Sequence, residues 1–144
     1  MPALFIIAAA VAAAAALLAV TSRVILHALL YLALSLIAVA VSFFIMGAPF
    51  VAALEVIIYA GAIVVLFLFA VMLLMPRRKE QDMGGGGAAW IGPVILALVL
   101  LAEVVAVVAA APSARLGTAS VSAREVGRAL FGPYAIGVEI ASML

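Results

Sequence analysis

Few side chains in this sequence could carry chemistry, and most of them lie inside long apolar runs. Glu55 is the only acid between Phe50 and Met75 (FVAALEVIIYAGAIVVLFLFAVMLLM), with Tyr59 four positions on and Gly61 two further. An acid about one turn inside a membrane helix is costly unless it meets protein or water, so by default it marks a functional site. The plainer alternative puts Glu55 near the interface, where the cost falls and headgroups are within reach. Glu103 lies past the middle of a second apolar run, Ala88 to Ala111. Exposed to a water cavity or paired with an arginine, it could join a proton path. Packed against a polar group of a partner, it would be structural, and the sequence leaves both open. His27, Tyr31 and Ser35 are spaced by four, which places them on one helix face. His27 sits beside Arg23 at the edge of a span, favouring a satisfied interfacial residue over a proton carrier. Serine in a membrane helix usually bonds its own backbone.

The elements that must position these groups are membrane helices. Hydrophobic residues make up 72% of the 144 residues and charged ones 9%, with a mean hydropathy of +1.54. A water-facing surface needs more charge than that, so the expected class is all-α, a single polytopic membrane domain over residues 1–144. Seven scattered Lys and Arg make no phosphate-binding surface, which excludes a nucleic-acid partner. With no cysteine and one histidine, disulfides, thiolate-held clusters and a haem or metal site built by this chain alone find no ligands. Dinucleotide, phosphate-loop and metalloprotease motifs are missing from the sequence.

Four complete spans are expected, at about 3–20, 24–46, 50–75 and 88–111. The first lacks the leading positive charge of a signal peptide, so it is expected to be retained; its alanines suit close helix packing. Gly47-Ala48-Pro49 is a short turn with proline entering the next helix. The third span, at 26 residues, would be roughly 39 Å long as a straight α-helix, more than a bilayer core requires. Tilt, an irregular turn or a start above the hydrocarbon must absorb the excess. Gly84–Gly87 is a linker with no phosphate chemistry. Ser122-Ala-Arg-Glu125 is a capping-box pattern opening a short helix on the membrane surface. From Pro133 a fifth apolar helix begins, and the 12 residues 133–144 are too few to cross, so this span is expected to be incomplete in the sequence. Arg23 and Arg77-Arg78-Lys79 flank spans one and three closely, which favours an N-terminus outside.

The stretch Ala53–Leu74, and within it YAGAIVVLFLF, resembles the J subunit family of bacterial proton-pumping NADH–quinone oxidoreductase (respiratory complex I), homologous to the mitochondrially encoded subunit 6. The resemblance extends to His27–Val39, Trp90–Leu96 and Leu130–Leu144, in the family's order. It implies five helices and no cofactor ligands in this chain, with flavin (FMN), iron–sulfur clusters and quinone held by partner subunits. Membrane and peripheral subunits and the lipid bilayer would be its partners, and the bacterial inner membrane its place, with the N-terminus periplasmic. The family's third helix carries a π-type turn near Tyr59-Ala60-Gly61, whose conversion to α geometry is proposed to gate a hydrated link from the quinone site to the pumps. Glu55, Tyr59, Gly61, Val65 and Glu139 are the proton-path or gate residues so implied; the resemblance implies no role for Glu103. Gly61 suits a bulge and would equally serve close helix packing.

The leading expectation is therefore a subunit without catalytic groups of its own, coupling quinone reduction to proton movement. A small ion-coupled transporter would call for inverted-repeat symmetry, and none is visible. A purely structural scaffold is the third possibility.

Overall fold

The computed structural model describes residues 2–74, 90–110 and 120–144, and among them every regular element is helical. Helix α1 runs Pro2–Thr21 and α2 runs Ile25–Ile45. The third span is made of three segments joined end to end: α3 (Pro49–Leu54), a π-helical segment (Glu55–Ile63) and α4 (Val64–Leu74). Helix α5 covers Ile91–Ala110, α6 Ala123–Phe131 and α7 Ala135–Ser142. Four of these stretches are long and apolar enough to cross a membrane, within a residue or two of the expected bounds at the ends the structure describes. The linker Gly84–Gly87 and the basic stretch Arg77–Lys79 lie outside the described residues.

Where each span ends is decided by backbone chemistry. At the end of α2 the Gly47 N–H donates to the Phe44 carbonyl and the Ala48 N–H to the Phe43 carbonyl, both 3.0 Å. That pairing is the glycine-terminated cap, and Gly47 takes the left-handed φ of 84° it needs. Pro49 then opens α3, where its missing N–H leaves nothing unpaired. The Gly47 carbonyl in turn accepts from the Val121 N–H at 2.8 Å. This bond ties the approach to α6 to the turn between spans two and three, as four alternating passages require.

The packed centre lies between α1, α2 and α5. Ala8, Val11, Ala38, Val41, Leu100 and Val107 form one buried cluster. Alanines 8 and 38 are wholly enclosed, so the α1 and α2 backbones approach closely, which is how membrane helices gain contact where lipid is as apolar as leucine. The serine stripe adds a directional lock: the Ser35 hydroxyl donates across the interface to the Ala12 carbonyl at 2.9 Å. Ser42 instead bonds its own helix, donating to Ala38 at 3.0 Å, as expected for serine in a membrane helix.

His27, in the first turn of α2, is turned inward against its own chain. It is 7% exposed and meets Trp90 edge to face, ring centres 5.2 Å apart, at the start of α5. Tyr31, one turn on, is also buried, and its hydroxyl stands where a Cβ on Gly92 would be. Counting residues could put the two on one face but could not show that this face meets α5.

Helix α6 carries the full capping box. The Glu125 N–H donates to the Ser122 hydroxyl at 3.3 Å, and the Ser122 N–H donates to the Glu125 carboxylate at 2.8 Å. Bonds from the Ser122 backbone and hydroxyl, assisted by Arg128, hold the Glu125 carboxyl below the usual glutamate range. Helix α7 follows after Gly132 and packs chiefly against α6.

Candidate functional site: the π-wound middle of the third span

The third span enters its irregular section without a break. Leu54 and Val64, the residues bounding the π segment, both keep ordinary helical angles (φ −62°, ψ −41° and φ −64°, ψ −39°). Between them the backbone is wound with hydrogen bonds reaching five residues back, and at its far edge the Val64 N–H reaches the Tyr59 carbonyl as well as Gly61's. Nine residues of this winding are unusual, since π geometry is mostly confined to single-turn bulges and often marks functional positions. One residue explains locally why it is tolerated. A Cβ on Gly61 would stand 3.1 Å from the Val56 carbonyl, five residues back, tighter than side chains normally accept. Glycine at 61 leaves that carbonyl room.

Glu55 opens the segment and is half-buried, and its carboxylate makes no hydrogen bond or ion pair among the described residues. Tyr59 is 49% exposed and Val65, just past the segment, 45%; Gly61 is half-buried between them. The structure thus brings Glu55, Tyr59, Gly61 and Val65 onto one short length of helix. It leaves Glu139 apart, exposed on α7. Of the third span's most apolar stretch only 6% is buried inside this chain, against 28% for α2. Much of the site therefore faces outward, toward whatever surrounds the chain.

A groove of about 380 Å³ separates the first half of this span from α5. Pro49, Ala52, Ala53 and Val56 form one wall, Val104, Val107 and Val108 another, and α2 the floor. Its lining is apolar throughout. Among the described residues no three His, Asp or Glu side chains converge as metal ligands would.

Glu103 is the residue whose setting sequence reasoning left open. It is 5% exposed, and neither carboxylate oxygen has a hydrogen-bond partner among the described residues. Its neighbours at −3 and +4, Leu100 and Val107, belong to the buried cluster. The only hint in the sequence was position, an acid in mid-span.

Comparison with known proteins bears on what this arrangement serves. The NADH-quinone oxidoreductase subunit J of Pseudomonas aeruginosa is 49% identical over 144 residues, covering 97% of this chain and 87% of that protein. The protein of the same name from Escherichia coli K12 is 40% identical over 121 residues, 82% of this chain and 66% of its own length. That of Buchnera aphidicola from Schizaphis graminum is 36% identical over 131 residues, 89% of this chain and 80% of its own. A family profile described as NADH-ubiquinone/plastoquinone oxidoreductase chain 6 matches residues 15–144, which takes in the π segment, the buried polar stripe of α2 and all of α5 to α7. With most of its length matched by that profile and by these relatives, the chain belongs to the NADH-ubiquinone/plastoquinone oxidoreductase chain 6 family.

Proposed function

We propose that the chain is a membrane-arm subunit of a proton-translocating NADH–quinone oxidoreductase, in which the third span acts as a conformational gate. The observation that carries the gate is the π winding from Glu55 to Ile63 in a span this chain scarcely wraps. A π turn amounts to an extra residue in an α-helix; rewinding it to α geometry turns everything beyond by roughly 100° for each residue absorbed. Val65 and the aromatic residues after it would then present a different face to their surroundings. Apolar side chains swung into a narrow path expel its water, and swung away they admit it, so a change of winding opens or closes proton conduction without any reacting group here. Glu55, at the edge of the segment, is the carboxyl placed to exchange a proton with such a path, and Tyr59 is the hydroxyl beside it.

In this role the chain has no catalytic groups of its own and shares in the oxidoreductase activity only as part of the complex. Flavin, iron–sulfur clusters and the quinone belong to partner subunits, and the complex lies in the bacterial inner membrane with the N-terminus of this chain periplasmic. The transporter alternative gains nothing from the relatives, all of which bear the name of an oxidoreductase subunit.

The test is Gly61→Val in the intact complex. The complex should assemble with its subunits in normal ratio while coupled quinone reduction drops by about tenfold, a barrier change on the order of 1.4 kcal/mol. Glu55→Gln should impair pumping more mildly. Normal pumping and turnover with Gly61→Val would remove the gate; failed assembly in both variants would point to a scaffold.

A further inference from the structure

We propose that Glu103 is a proton-exchange site in the core of α1, α2 and α5, distinct from the π segment. A buried carboxyl is ordinarily bonded, and one with both oxygens unpartnered calls for an explanation. Leucine of similar size would fill the same space without that cost. The group is 5% exposed, and both oxygens lie bare of donors among the described residues. Among the described residues the packed helices supply no counter-charge: α1 has no ionisable side chain, and α2 has only His27 and Tyr31. Those two stand against Trp90 and Gly92 at the start of α5, and Gly92 is about 16 Å from Glu103 along the helix. Glu103 is the only ionisable residue of α5 itself, and the third span contributes Glu55 and Tyr59, neither bonded to it.

In such a place the neutral carboxyl is the form that fits, because an ionised one without partners loses its hydration and gains nothing in return. The site becomes useful when water reaches it. Val104 and Val107, one and four residues after Glu103, line the apolar groove whose far wall is Ala52, Ala53 and Val56. With its apolar lining closed up the groove stays dry, and widening it between α5 and the third span lets water in. The carboxyl O–H bond then breaks, water carries the proton off as hydronium, and the carboxylate remains hydrated. The reverse step restores the neutral acid from hydronium. Val56 lies inside the π segment, so the winding of the third span also positions one wall of this groove. The proton site itself does not depend on the gate.

The experiment is infrared difference spectroscopy on the intact complex, resting against turning over on NADH and quinone, with wild type, Glu103→Gln and Glu103→Asp. The expected result is a neutral-carboxyl C=O band that moves in heavy water, changes amplitude on turnover, is lost in Glu103→Gln and shifts in Glu103→Asp. Two results overturn the proposal. One is no neutral-carboxyl band that depends on Glu103, meaning that a partner's cation holds it ionised. The other is a Glu103 band unaltered by turnover and by pH, meaning a sealed group that exchanges nothing. Should Glu103→Gln fail to assemble, the band shift between wild type and Glu103→Asp decides in the same way. A Gly61→Val complex with normal activity would end the gate and leave this test untouched.

Discussion

The α1–α2–α5 centre and the third span are equally apolar in composition yet are built on opposite plans. In the first, small residues bring backbones together, and a hydroxyl crosses between helices from Ser35 to Ala12. In the second, large side chains such as Leu66, Phe69 and Leu73 face outward, and the middle of the helix is wound out of α geometry. One region is held by its own chain. The other is left for neighbours to hold, and a segment with few internal contacts is the kind that changes shape at low cost.

Breaking the packed side should have the largest effect. Ala38→Phe puts a large ring where no space exists, an overpacking that costs about 1–3 kcal/mol or more in a well-filled core. The expected outcome is loss of the subunit from the purified complex, measured by subunit ratios after solubilisation. On the pliable side, Gly61 variants should spare assembly and strike turnover, with Gly61→Ala falling between glycine and valine because only its Cβ meets the Val56 carbonyl. Equal assembly defects at 38 and 61 would erase the contrast.

A finer probe is Ser35→Ala. Interhelical hydrogen bonds in membranes contribute about 0.6–2 kcal/mol, so α1 should release more readily in detergent while turnover at low temperature holds. The smallest effect concerns α6. Glu125 has a lowered carboxyl value when folded, so its contribution to the cap is complete above the ordinary glutamate range and fades as pH falls through the lowered value. Hydrogen-exchange protection of residues 123–131 should decline only in that acidic window. Ser122→Ala should lower it at every pH, by about 1 kcal/mol of helix stability.

Much of the architecture was legible before any coordinates. Uninterrupted apolar runs mark spans because a bilayer demands about 20 such residues. Gly47 with Pro49, and Ser122 with Glu125, announce their turn and cap because the chemistry of each is local. The excess length of the third span called for some irregularity, and the family resemblance located it. The nine-residue extent of the winding could not be read, since π and α backbones differ by small angles that no residue type dictates.

What the chain determined by itself is therefore where it crosses the membrane, where it turns and which family it joins, all properties of neighbouring residues and of their affinity for lipid. Which face of each helix turns inward was settled only by the tertiary structure. In a water-soluble protein polar residues mark the outside, but here nearly every face is apolar and lipid suits them all. Hence His27 went against Trp90, and Glu103 lies enclosed with no partner among the described residues, because helix packing and not polarity chose their surroundings.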